Sequence, residues 1–187
     1  NRSILNHHID LYENTIKPYI DGANSVAELG AGYGSKIFSL SQRKAFKKTL
    51  LLGLEYTEMG LNMMKLISKS IDRDFRFGFC DFRHLTIDSS IIPENSIIFT
   101  SYSIQYSPKL KEAFIEYILK LKPKVVIHFE PVYEMYGLGS IHDLMCRRYV
   151  EMNDYTRNLL GVLNKANSKG YIEILKLKPN CLGFNPF

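Results

Sequence analysis

The stretch Glu28-Leu29-Gly30-Ala31-Gly32-Tyr33-Gly34 decides the fold of this chain. It follows a short apolar run at 25–29 and precedes a helical pattern at 36–48, so its glycines stand where a strand turns into a helix. Glycine allows positive φ angles and lets a ligand approach the backbone without meeting a Cβ atom. The stretch therefore predicts a ligand-binding turn at the carboxyl end of a first strand.

The glycine spacing differs from the dinucleotide-binding pattern G-x-G-x-x-G, in which a helix N-terminus receives a pyrophosphate. Ser35 takes the place of the last glycine, the third glycine comes one residue earlier, and Glu28 precedes the first glycine by two. A carboxylate beside the turn is unfavourable for a bound phosphate. Ser35 and Glu28 both disfavour a nicotinamide-dependent oxidoreductase.

Strand-like and helix-like patterns alternate on both sides of this turn. Strands are predicted at 25–29, 50–55, 75–80, 96–101, 124–129 and 171–177, and helices at 4–20, 36–48, 59–70, 108–121 and 141–167. This alternation predicts an α/β fold, a doubly wound and mostly parallel sheet with helices on both faces. The ligand crevice of such a sheet lies at the carboxyl ends of its strands.

Two further acids stand at predicted strand ends. Glu55 ends the second strand, 55 − 34 = 21 residues after the last glycine, and Asp81 follows the third strand. An acid about 20 residues past a glycine turn accepts the ribose hydroxyls in nucleotide-binding sheets. The alternative is that Glu55 and Asp81 only cap helices or are solvated at strand ends.

An acid–glycine loop followed by acids at the next two strand ends resembles the class I S-adenosylmethionine-dependent methyltransferases, a Rossmann-like family, over roughly residues 24–130. The resemblance implies S-adenosyl-L-methionine as the cofactor. The loop would cradle its methionine part, with Glu28 near the amino group, Glu55 at the ribose, and Asp81 with an apolar neighbour at the adenine. The implied cofactor-binding residues are Glu28, Gly30, Gly32, Gly34, Glu55, Tyr56, Asp81, Phe82 and Ser101.

In this family the end of the fourth strand faces the transferred methyl group. Here Tyr102, Gln105 and Tyr106 occupy that stretch, and the fifth strand leads into His128 and Glu130. A hydroxyl acceptor benefits from a general base, so His128 and Glu130 are the candidate catalytic residues. His142 and Arg148, on the predicted last helix, are further candidates for acceptor binding. A structural or solvated role remains the alternative for each of these side chains.

The resemblance implies methyl transfer to an oxygen or nitrogen of a small molecule. The alternatives are a protein or RNA methyltransferase and a non-catalytic S-adenosylmethionine-binding module. The domain expectation is one unit over 1–187, with a helical cap at 1–22, a cofactor-binding core at 23–130, and an acceptor-side helix and last strand at 131–187. The family sheet has a seventh strand, which this sequence does not show. Either the chain is cut short, or its tail is disordered, or the sheet is completed differently.

Composition limits the partners. The 187 residues are 45% hydrophobic and 23% charged, with a formal net charge of +5 from scattered basic residues, which disfavours a nucleic-acid surface. Apolar runs are too short for a membrane span, and no signal peptide is recognisable. The three cysteines, Cys80, Cys146 and Cys181, form no C-x-x-C pair, which is compatible with a reducing cytoplasm. No metal-ligand pattern stands out, and the sequence leaves the oligomeric state open.

Overall fold

The computed structural model describes residues 2–179, with side chains from residue 7 onward. Its sheet is built from β1 Ser25–Leu29, β2 Leu50–Glu55, β3 Phe75–Asp81, β4 Thr86–Ile87, β5 Ile97–Ser101 and β6 Val125–Phe129. The strand order is β4-β3-β2-β1-β5-β6, and every pair is parallel except β3 with β4. The predicted doubly wound, mostly parallel sheet is confirmed.

Helices cover both faces of the sheet. They are α1 Arg2–Ile16, α2 Ser35–Ser41, α3 Glu58–Ser68, α4 Ala113–Leu119, α5 Ile141–Met152 and α6 Leu159–Ser168. Helices α1 and α2 pack around Phe46 and Phe99, and α3 forms a separate cluster around its own Met64. Helices α4 and α6 pack in the cluster that contains Phe114. β1 is hydrogen-bonded to β2 on one side and β5 on the other, so the chain reverses its direction of winding there. That reversal places the crevice of a doubly wound sheet at the ends of β1 and β5.

The central strands form because their sequences are apolar on both sides. Every residue of β1 and β5 is buried, as expected for parallel strands covered by helices. Ser25, a polar residue of β1, is held by a 2.6 Å hydrogen bond between its hydroxyl and that of Ser96.

Two predicted elements are wrong. The single helix at 141–167 is two helices, because residues 153–158 leave the helical path and hydrogen-bond to the loop after β5. The strand at 171–177 is absent, since these residues pair with no strand and Ile174 donates its amide to the Asn167 side chain at 3.1 Å instead. β4 lies in a stretch predicted to be irregular. The tail at 180–187, with Cys181, lies outside the described residues.

None of the helices within residues 2–179 has both the length and the apolar composition that crossing a bilayer requires.

Candidate active site

The glycine turn after β1 is held against β2. The amides of Gly30 and Ala31 both donate to the carbonyl of Leu54 at 2.8 Å. Gly30, Gly32 and Gly34 all have positive φ angles, of 74°, 59° and 83°. A Cβ on Gly30 would lie 2.4 Å from Ser103, but a Cβ on Gly32 would meet nothing within 4 Å. Gly30 is thus needed for packing, whereas Gly32 borders open space at the carboxyl end of the sheet.

Glu28 is fully buried on the α2 face of β1. Its Oε1 lies 3.1 Å from the Nζ of Lys36 in the first turn of α2, and among the described residues Oε2 has no hydrogen-bond partner of good geometry. Burial raises the pKa of Glu28 to about 7, although the nearby ammonium opposes that shift. The sequence analysis did not single out Lys36, because a lysine near a helix start is usually solvated.

The carboxylate of Glu55 binds the glycine turn to the start of α3. Oε2 accepts the Gly32 amide at 2.8 Å, while Oε1 accepts the amide and hydroxyl of Thr57 at 3.0 and 2.9 Å. The Thr57 side chain in turn caps α3 by accepting the Gly60 amide. Both the ligand role and the capping alternative were predicted for Glu55, and these contacts show that it supports a helix start.

Asp81, at the end of β3, is also buried, and it accepts the His84 Nδ1 at 2.7 Å and the Arg83 amide at 2.8 Å. Burial opposes its ionisation, but these donors outweigh that effect and lower its pKa. Phe82 packs towards Phe114 on the α4 face, with ring centroids 6.1 Å apart.

An exposed aromatic pair flanks the ends of β2 and β3. The ring centroids of Tyr56 and Phe79 are 5.9 Å apart, and Tyr56 is 60% exposed. Phe79, which the sequence analysis did not select, therefore adds an apolar surface beside the two strand-end acids.

The end of β5 is closed by the N-terminal helix. The Tyr12 hydroxyl is 2.9 Å from the hydroxyl of buried Ser101. The next residue, Tyr102, has a φ of 52°, a strained angle for a residue with a side chain, and its amide donates to the carbonyl of Phe129. Burial, with lesser effects of Tyr12, Tyr136 and Glu130, raises the pKa of Tyr102 to about 12.

Glu130 follows β6 and anchors the loop after β5. Its Oε1 accepts the amides of Ser103 and Ile104 at 3.0 and 3.2 Å. Its Oε2 is buried and, within the described chain, lacks a hydrogen-bond partner of good geometry. Burial raises the pKa of Glu130 despite those amides. An unsatisfied buried carboxylate oxygen at a strand end can accept a proton or bind a cationic group.

His128 does not share this position. Its Nδ1 is 2.9 Å from the Thr100 hydroxyl, and its ring is 6.3 Å from that of Phe114, on the α4 face of the sheet. Burial lowers the pKa of His128 to about 4. His128 thus lies against Thr100 and Phe114 on the α4 face of the sheet, and its role as a base stays a prediction.

The remaining candidates lie on the loop after β5 and on α5. Gln105 is buried, and Tyr106 is 55% exposed beside it. Arg148 is exposed on α5. His142 sits one turn before Cys146, with its ring nitrogens 3.5 and 3.8 Å from the cysteine sulfur. Within residues 7–179, no three metal-ligating side chains converge.

Comparisons with known proteins find similarity in structure alone, since no family model and no curated sequence matches. The methyltransferase domain of bacterial CtHen1-C superposes with a TM-score of 0.59 at 15% identity, over 90% of this chain and 85% of that one. The small RNA methyltransferase HEN1 gives 0.56 at 19% identity, over 84% of this chain but 21% of that one.

A weaker match is the N-terminal domain of EvdMO1 solved with SAH, with a TM-score of 0.44 and 18% identity over 62% of this chain. This chain spans 46% of that EvdMO1 chain. The present chain has the class I methyltransferase fold. Its own strand order and glycine turn show this, together with the superpositions on the CtHen1-C domain and on HEN1.

Proposed function

We propose that this chain binds S-adenosyl-L-methionine and transfers its methyl group to an oxygen or nitrogen of a small molecule. The observation that carries the proposal is the glycine turn: the Cβ position of Gly32 is open, the Gly32 amide donates to Glu55, and Glu28 and Asp81 lie near the ends of the adjoining strands β1 and β3. A Cβ would project into this space, and no described side chain occupies it.

The charges around the crevice fit this cofactor. Four carboxyl groups, those of Glu28, Glu55, Asp81 and Glu130, lie at these strand ends, together with the half-buried ammonium of Lys36. A pyrophosphate would be repelled by this excess of negative charge, whereas an ammonium and a sulfonium are attracted to it. The unsatisfied oxygens of Glu28 and Glu130 offer acceptors for the ammonium, and Lys36 offers a counter-charge for the carboxylate.

Glu55 and Asp81 would hold the nucleoside. Glu55 keeps acceptor capacity for ribose hydroxyls, because a carboxylate accepts about four hydrogen bonds and this one accepts three from protein. Asp81 and Phe82 lie beside the next strand end, where an adenine amino group would reach the carboxylate. The bound cofactor supplies an electrophilic methyl group. The protein supplies position and a dry, charged crevice.

Glu130 is the proposed proton acceptor. Its Oε1 accepts two amides, which orient the carboxylate, and among the described residues Oε2 has no hydrogen-bond partner of good geometry. Burial raises the pKa of Glu130, which makes its carboxylate a stronger base than an exposed one. Tyr102, with its strained backbone, lies at the same edge. We assign the proton transfer to Glu130 and not to His128, because burial lowers the pKa of His128 to about 4 and so makes its imidazole a weak base.

The test is formation of S-adenosylhomocysteine from S-adenosylmethionine with a panel of hydroxyl, amine and carboxylate acceptors. We expect one acceptor class to raise the rate above the acceptor-free background. Glu130→Gln should then lower turnover by about 10²–10⁴-fold with cofactor affinity nearly unchanged. A protein that binds S-adenosylhomocysteine but transfers to no acceptor would be a non-catalytic binding module instead.

A further inference from the structure

The segment that interrupts the predicted last helix is fastened to the loop after β5. The Thr156 amide donates to the backbone carbonyl of Gln105 at 2.9 Å, and the Thr156 hydroxyl donates to the backbone carbonyl of Ile104 at 2.7 Å. The Asn158 side chain accepts the Leu110 amide at 2.9 Å and donates to the Leu110 carbonyl at 3.0 Å. Helix α5 therefore ends where its chain is needed to hold this loop.

This fastening brings three tyrosines together. Tyr106 comes from the loop, Tyr155 from the fastened segment and Tyr149 from α5. The Tyr155 ring centroid lies 5.4 Å from that of Tyr106 and 5.8 Å from that of Tyr149, with interplanar angles of 81° and 76°. Burial and hydrogen bonds with the other two side chains raise the pKa of Tyr155 to about 12. The phenol groups thus form one connected, half-exposed group of side chains, called here the tyrosine cluster.

The tyrosine cluster adjoins the proposed methyl-transfer site. Ser103, in the same loop as Tyr106, donates its hydroxyl to the Leu29 carbonyl directly before the glycine turn. The guanidinium of Arg83, two residues after Asp81, donates to the Tyr106 carbonyl at 3.2 Å. A molecule resting on these rings would lie at the carboxyl edge of the sheet, where the acceptor must enter.

The ring angles indicate which chemistry fits. A nucleobase can be sandwiched only between parallel rings, and neither ring contact in the tyrosine cluster is parallel. A sugar ring presents an apolar C–H face to one aromatic ring and hydroxyls at its rim to phenol oxygens, which suits perpendicular rings. We infer that Tyr106, Tyr149 and Tyr155 form the binding site for a sugar ring of the methyl acceptor. This inference rests on the proposed function and specifies its acceptor class.

Saturation-transfer difference NMR on the full chain with S-adenosylhomocysteine tests this site. The probes are methyl β-D-galactopyranoside, methyl β-D-glucopyranoside and methyl α-D-mannopyranoside. We expect transfer from protein aromatic protons to the ring C–H protons of at least one pyranoside. Tyr155→Leu should weaken that signal about fivefold, the scale of one lost aromatic contact. Tyr106→Leu changes an exposed residue and should weaken it similarly without affecting folding.

The matched control is Tyr171→Leu, which removes a tyrosine of 57% exposure outside the tyrosine cluster and should leave the signal unchanged. Absence of any pyranoside signal, or equal signals in the wild type and in both Tyr155→Leu and Tyr106→Leu, would overturn the inference. If adenosine gives a signal that Tyr155→Leu and Tyr106→Leu abolish, the site binds a nucleobase and not a sugar. Calorimetry with S-adenosylhomocysteine separates the two levels, because a failed sugar site leaves cofactor affinity intact, whereas a wrong proposed function removes it.

Discussion

Replacing Gly32 by alanine tests whether the open space beside the glycine turn belongs to the cofactor. The added methyl group meets no protein atom within 4 Å, so the folded protein has only the positive φ of 59° to accommodate, at about 1–2 kcal/mol. A cofactor filling that space would be overpacked by about 1–3 kcal/mol. We therefore expect the dissociation constant for S-adenosylhomocysteine to rise about 5- to 150-fold by calorimetry.

Gly170→Ala is the matched control. Gly170 follows α6, has a φ of 72°, and likewise has nothing within 4 Å of its Cβ position. Both variants should lose similar stability in urea unfolding, while only Gly32→Ala loses affinity. Wild-type affinity in a folded Gly32→Ala protein would refute the assignment of this space to the cofactor.

Three further substitutions test the acids and the histidine. Glu55→Ala should weaken S-adenosylhomocysteine binding by about 1.5–3 kcal/mol, the value of a hydrogen bond to a charged group; an affinity within twofold of wild type would leave it a helix-start residue only. The folded pKa of Glu28, about 7, lies above the unfolded value of 4.5, so its contribution to stability is full below pH 4.5 and is lost towards pH 7, by up to about 3 kcal/mol. Urea unfolding of Glu28→Gln at several pH values should show a shallower decline than the wild type, and parallel curves would contradict the burial of this charge. His128→Ala should lower the free energy of unfolding by about 1–3 kcal/mol with turnover per folded molecule retained, whereas a selective loss of turnover would restore it as the base.

The sequence predicted the sheet because its evidence is local. The buried strands β1 and β2 are nearly continuous apolar runs. The glycine turn follows β1, and Glu55 and Asp81 are the last residues of β2 and β3. Residues that follow parallel strands meet at one edge of the sheet, so their proximity comes from topology alone.

The errors come from contacts between distant segments. The helical pattern at 141–167 continues through 153–158, but Thr156 is 49 residues from Ser107, whose carbonyl its hydroxyl binds. The alternating stretch at 171–177 has strand propensity but no neighbouring edge with which it pairs. Lys36 and Tyr12 were missed as site residues because their buried partners, Glu28 and Ser101, are identified only by the packing of α2 and α1.

The central claim is that the crevice at the ends of β1 and β5 binds S-adenosyl-L-methionine. Titration calorimetry of the purified chain, run in parallel with S-adenosylhomocysteine and with NADH, tests it most directly. We predict saturable binding of one S-adenosylhomocysteine per chain and no heat from NADH, because the carboxylates at these strand ends disfavour a pyrophosphate. Binding of NADH without S-adenosylhomocysteine, or of neither ligand by a folded protein, would contradict the account.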